Sequence, residues 1–143
     1  MGEQKKLTIA FFYCQRIPES SERDRQLLEK KYGKNIRLFP IPCSGRLDAL
    51  HLLRALEEFA DAAYLIACPE GKCLYFEGNL RAKKRIQRAR EIISSIGLEG
   101  ERIGIAISPK ENSKSLAMQV NEIMANIAHL SPSPVLTRAN NKN

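Results

Sequence analysis

Four short apolar runs alternate with longer amphipathic stretches along this chain. LTIAFFY, from Leu7 to Tyr13, is rich in aromatic and branched residues and predicts a buried strand. NIRLFPI predicts a second strand, AAYLIAC a third that is apolar throughout, and RIGIAIS a fourth. Between them lie helical patterns. SSERDRQLLEKKYG is a charged helix that Ser20 or Ser21 can cap and Gly33 can end. GRLDALHLLRALEEFA predicts a second helix, with Leu50, Leu53, Leu56 and Ala60 as its inward stripe. A third runs from about Asn79 to Ile96, with Leu80, Ile86, Ala89, Ile93 and Ile96 at helical spacing and Gly97 as its stop. The last, SKSLAMQVNEIMANIAHL, sets Leu116, Val120, Ile123, Met124 and Ile127 on one side.

Strands that alternate with helices imply right-handed crossovers and a parallel sheet covered on both faces. The expected fold is therefore α/β: a single-domain, four-stranded parallel sheet in three layers, of the flavodoxin or Rossmann kind. The domain is expected over residues 1–130, with a frayed tail, SPSPVLTRANNKN, over 131–143. No internal repeat or linker divides it.

This layout makes the four cysteines informative. Cys14 follows the first strand, Cys43 the second, and Cys68 closes the third. In an open parallel sheet the carboxyl ends of the strands share one edge, where ligands bind. Three cysteines far apart in sequence are thus expected on one rim, and Cys73, in the loop after Cys68, can fold back to it. Four thiolates there match the ligand requirement of a 2Fe-2S or 4Fe-4S cluster, or of a structural zinc. The competing reading is four reduced thiols packed near strand ends, since cysteine is among the most buried residue types. No C-x-x-C spacing occurs. Cys68-Pro69 and the PCSG stretch at 42–45 supply bends that could aim thiolates and backbone amides inward.

Composition sharpens this picture in two places. At 143 residues with 43% apolar content, the chain can bury an ordinary core. Its start, MGEQKKLTIAFFYC, lacks the form of a signal peptide, and no apolar run approaches a membrane span. A cytoplasmic protein is expected, in which cysteines serve metal or redox chemistry more often than disulfides. The net charge of +7 concentrates in RAKKRIQRAR, where Arg81, Lys83, Lys84, Arg85, Arg88 and Arg90 form the outer face of the third helix. That face suits bulk solvent or an acidic partner protein. Nucleic acid is disfavoured, because no recognition motif and no interleaved aromatics accompany the charges.

Other chemistries find no support. A cysteine-dependent phosphatase needs an arginine six positions after its nucleophile, and Ser20, Ala49 and Asn79 stand there after Cys14, Cys43 and Cys73. The turn after the first strand, CQRIPES, has no glycine for a dinucleotide phosphate. His51 and His129 fall within helical patterns without a paired ligand motif, and read as ordinary helix residues. Ser44 and Ser108 follow strands two and four with no histidine partner for a nucleophilic dyad.

The stretch PCSGRLDALHLLRALEEFADAAYLIACPEGKCLYFEGNLRAKKRIQRAREIISSIGLEGERI resembles the delta subunit family of methyl-viologen-reducing hydrogenase. The family pattern C-S-G-R-x-D appears as Cys43-Ser44-Gly45-Arg46 with Asp48. Its C-x-x-x-x-C-x-Y-x-x-G-N element appears as Cys68, Cys73, Tyr75, Gly78 and Asn79, before a basic helix. The resemblance runs from about Leu7 to Leu130. It implies a small α/β subunit with a 2Fe-2S cluster, the alternatives being zinc or no metal at all. Such a subunit relays single electrons to or from a flavin-containing heterodisulfide-reductase-like subunit. The electron-input partner would be a hydrogenase, a formate dehydrogenase or a methylenetetrahydrofolate-type subunit. Cys14, Cys43, Cys68 and Cys73 are the implied ligands, Ser44-Gly45 and Gly71 offer backbone amides to the sulfurs, Arg46 is placed to meet an acidic partner, and Asn79 is expected to cap the basic helix. Where the family carries C-x-x-C after its first strand, this chain has only Cys14, followed by Gln15, Arg16 and Ile17. Cluster loss, with the subunit kept as a docking scaffold, is the second reading.

Overall fold

A computed structural model describes residues 7–42, 48–69, 78–109 and 111–135. Four strands, β1 (Ile9–Cys14), β2 (Ile36–Ile41), β3 (Ala62–Ile66) and β4 (Ile103–Ala106), form one parallel sheet in the order β2-β1-β3-β4. Four helices connect and cover them: α1 (Glu22–Tyr32), α2 (Ala49–Glu58), α3 (Gly78–Ser95) and α4 (Leu116–Asn126). The chain leaves β1 toward β2, then reverses across β1 to reach β3 and β4. A right-handed crossover that reverses direction must change face. Accordingly α1 and α4 cover one face and α2 and α3 the other. This is the expected three-layer α/β fold.

Side-chain alternation divides the core in two. Ile9, Phe11 and Tyr13 meet Leu28 of α1 and Leu116, Val120 and Ile123 of α4. On the other face Ala10, Ala63, Leu65 and Ile103 meet Leu52, Ala55 and Leu56 of α2 and Ala82, Ile86, Ala89 and Ile93 of α3. Two expected stripes hold except at their ends: Leu56 of α2 with Ala60 just after it, and Ile86, Ala89 and Ile93 of α3, are buried as expected, and Leu53 packs against the core. In α2, Leu50 is 57% exposed, and Leu52 and Ala55 join the buried row. Asp48 caps this helix, accepting from the Leu50 amide at 3.0 Å, while its own amide donates to His51 Nδ1 at 3.1 Å. That start sets the phase, and it gives His51 a capping role. In α3, Leu80 and Ile96 are 54% and 67% exposed, and Ala82 joins the inward row instead.

The charged helix α1 carries a capping box. Ser21 Oγ accepts from the Asp24 amide at 3.2 Å, and the Ser21 amide donates to Asp24 Oδ2 at 3.0 Å. Gly33 ends the helix at φ +62°, a backbone region costly for other residues. Arg25 pairs with Glu22 and Glu29 along its surface. Glu29 also accepts the Leu38 amide at 3.1 Å, which occupies a donor of edge strand β2. Gly104 is required by packing: a Cβ there would collide with the ring of Tyr64, its register partner on β3.

A buried polar network closes the amino edge of the sheet. Arg102 is 1% exposed, the largest fully buried side chain. It donates to Glu99 Oε1 at 2.9 Å, to the Asp61 carbonyl at 2.9 Å and to the Ser131 carbonyl at 2.7 Å. Asp61 in turn accepts the Thr8 and Ser133 amides at 2.9 and 2.7 Å. Residues just before β1, β3 and β4 are thereby tied to the segment after α4. Residues 136–143 lie outside the described residues. Among the described residues, no helix is long and apolar enough to cross a membrane.

Candidate metal centre

The sheet order has a switch point between β1 and β3, where the chain departs in opposite directions. The crevice outside the carboxyl ends of such strands is the ligand-binding position of open α/β sheets. Cys14 is the last residue of β1, and Cys68 lies two residues beyond β3. Register brings them together, since Tyr13 pairs with Ile66 and the two strands continue side by side. Their Sγ atoms stand 2.6 Å apart, both side chains buried. That separation exceeds the ~2.05 Å of an S–S bond. Two buried sulfurs are thus aimed at one point on the expected rim.

Local structure holds each thiol in place. After Cys14 the chain turns at once, its carbonyl accepting from the Ile17 amide at 3.2 Å. Ser20 Oγ braces that turn by donating to the Ile17 carbonyl at 2.7 Å. The Gln15 amide donates to the Ile41 carbonyl at 3.0 Å, and the Leu116 amide to the Pro18 carbonyl at 3.1 Å, so the loop is fastened to β2 and to α4. On the other side, the Ala67 amide donates to the Ala106 carbonyl at 2.9 Å, carrying the β3–β4 ladder up to Cys68. Ala67 and Pro69, on either side of Cys68, are buried. Water is kept from both sulfurs.

Cys43 and Cys73 lie outside the described residues, as do Ser44, Gly45, Arg46, Gly71 and Tyr75, and the side chain of Asn79. The described donors are therefore two thiols, and no group of three or more His, Cys, Asp or Glu side chains gathers anywhere among the described residues. The donor chemistry fits a thiolate-bound centre: soft sulfur ligands select iron–sulfur clusters and zinc, and such a centre takes four of them.

Two neighbours of the rim complete the site. Ser108, two residues beyond β4, is 3% exposed, and its Oγ has no hydrogen-bond partner among the described residues. Helix α3 begins where the chain returns from the rim. Its first turns carry Arg81, Lys83 and Lys84, all exposed, followed by exposed Arg88. Arg90, farther along, donates to the Ile103 carbonyl at 2.7 Å and helps hold the helix to the sheet. Among the described residues the histidines have other partners: His51 caps α2, and His129 meets Glu101 at 3.0 Å near the opposite edge.

Fold and site together define a class: a single-sheet parallel α/β domain with cysteines gathered at its carboxyl rim. The chain belongs to the methyl-viologen-reducing hydrogenase delta subunit family, whose model matches residues 9–131. It is 32% identical over 133 residues to an iron-sulfur subunit of the F420-non-reducing hydrogenase of Archaeoglobus profundus, covering 92% of this chain and 96% of that one. It is 30% identical over 105 residues to the vhu iron-sulfur subunit of an F420-non-reducing hydrogenase of Methanocaldococcus jannaschii, covering 73% and 78%. A third relative is larger. It is a subunit of the Ferredoxin:CoB-CoM heterodisulfide reductase of Methanosarcina mazei, 30% identical over 101 residues, which are 71% of this chain and 13% of that protein. The relatives are subunits of redox complexes.

Proposed function

We propose that this chain is an electron-transfer subunit of a redox complex, relaying electrons to or from a heterodisulfide-reductase-like flavoprotein through a 2Fe-2S cluster. The observation that carries this reading is the buried Cys14–Cys68 pair at the switch point of the sheet. Cys14 and Cys68 bind from the two central strands, and Cys43 and Cys73 complete the set of four. When bound, such a cluster would take up and release one electron at a time. The thiolates must be deprotonated to bind, and their burial shields the centre from water. Reduced ligand thiols of this kind belong in a cytoplasmic, reducing environment.

The relatives support the partners of this reading. Two are named iron-sulfur subunits of hydrogenases, which supports a hydrogenase-type or related electron-input subunit on one side. The third carries a stretch like this chain within a much longer heterodisulfide reductase polypeptide, which supports close association with a protein of that kind on the other. The basic first turns of α3, leaving the rim, suit an acidic docking surface. Lys84→Glu is expected to weaken partner binding about tenfold at low salt, by setting like charges against each other. Its metal content would remain that of the unaltered chain. Titration calorimetry at two salt concentrations, with an iron assay, checks both parts.

The direct test is iron and acid-labile sulfide per chain, with a visible spectrum, on anaerobically purified protein. About two irons and two sulfides per chain, with a broad band that bleaches on reduction, is the expected result. No iron after reconstitution would leave a docking scaffold, and zinc at about one per chain would make the centre structural.

A further inference from the structure

We infer that Ser108 is a positioning residue of the rim, whose hydroxyl donates to a sulfur of the centre held by Cys14 and Cys68 and raises its reduction potential. This rests on the electron-transfer reading above. Ile66 pairs with Ala106 in the β3–β4 ladder. Cys68 and Ser108 each stand two residues beyond those partners, and the Ala67 amide still bonds the Ala106 carbonyl at 2.9 Å. The two side chains therefore end adjacent strands on the same edge.

Ser108 is also out of keeping with its surroundings. A buried hydroxyl without a partner is costly, and native structures rarely keep one without a role. Here Ser108 Oγ is fully covered and has none, although alanine would fill the site with no polar group to satisfy. Nearby Ile105 and Ile107 pack into the apolar core, so the neighbourhood itself asks for no hydroxyl. What the edge does contain is sulfur. Ser108 Oγ bonds neither Cys14 Sγ nor Cys68 Sγ, so the acceptor is a sulfur of the bound centre itself, whose acceptor strength grows when an electron is added. An O–H aimed at it favours the reduced state and raises the potential.

The test is a redox titration of the cluster-loaded full chain, followed by the visible band, for the unaltered protein, Ser108→Ala and Ser108→Thr. Ser108→Ala is expected to keep its iron and sulfide while its potential falls by a roughly tenfold change in the one-electron equilibrium, about 59 mV. Ser108→Thr, which keeps the hydroxyl, is expected to return most of that shift. The metal-free Ser108→Ala chain should unfold at the same temperature as the unaltered one or higher, because an unsatisfied group has been removed. An unchanged potential in a fully loaded Ser108→Ala chain overturns the role of Ser108 and leaves the electron-transfer reading standing. A threonine variant that titrates with the alanine one overturns it too. Failure of the unaltered chain to take up iron overturns both readings, and is seen before any variant is made.

Discussion

Cys68→Ser is expected to purify with less than about a tenth of the iron of the unaltered chain and without its visible band. Serine is nearly the same size as cysteine, so packing around Ala67 and Pro69 survives. Its oxygen is a hard, weakly acidic donor, poorly suited to a site that selects by thiolate softness. The loss should be large because Cys68 does not stand alone: its Sγ is turned to that of Cys14, and the proposed centre draws on both. Cys14→Ser should behave in the same way. Circular dichroism should be unchanged in both, since Cys14 and Cys68 sit at strand ends, with the ladder hydrogen bonds carried by backbone. A merely packed, inert thiol would give the reverse pattern: a small change in unfolding temperature and no change in metal. Unaltered spectra in single serine variants of Cys14, Cys43, Cys68 and Cys73 would sink the ligand assignment.

The placement of Cys14 and Cys68 on one rim is legible in the sequence because it depends on topology. Apolar runs that end in cysteine, separated by helices, put those cysteines on one edge whatever the strand order. What local pattern does not carry is which strands are neighbours. Cys14 and Cys68 meet because β3 lies beside β1, across from β2, and that arrangement follows from a reversal of the crossover. Helix phase is harder to read where leucines crowd. Leu50, Leu52, Leu53 and Leu56 offer several stripes in α2, and the Asp48–His51 capping pair decides among them. Two residues of consequence give no such signal. Arg102 opens the apolar run RIGIAIS, and nothing in that pattern marks it as buried. Its burial comes from acceptors at Asp61 and Ser131, 41 and 29 positions away. Ser108 reads in the sequence only as a nucleophile without a histidine, and its lack of a hydrogen-bond partner shows only once burial is known.

Arg102→Met carries the largest expected effect on stability, and it acts at the edge opposite the thiols. Methionine fills much of the same volume, so the change removes hydrogen bonds more than packing. The buried carbonyl of Asp61 loses its donor, at ~1–3 kcal/mol, and the part-buried carbonyl of Ser131 loses one that water can largely replace. Part of this is offset, because a buried guanidinium is itself expensive to desolvate. Glu99, 48% exposed on its side chain, returns to water at little cost. The balance is a loss of about 1–3 kcal/mol in urea unfolding, or a fall in Tm on the order of 5 °C. Arg102→Lys should fall between, as an ammonium keeps the charge but cannot spread three bonds in the plane of a guanidinium. The same cluster predicts a pH effect. The Arg102 hydrogen bond holds the Glu99 carboxyl below its usual range. Its folded pKa lies below the unfolded one, so this contribution is complete above the unfolded value. It is lost as the pH falls through the folded value, and it should be absent from Arg102→Met. Below their unfolding temperatures the Arg102 variants should still take up the iron of the unaltered chain, because nothing in the Arg102–Asp61 network reaches Cys14 or Cys68. A variant that lost iron and stability together would mean that the two edges of the sheet are coupled, and that the ligand rim forms only when the segment after α4 is fastened down.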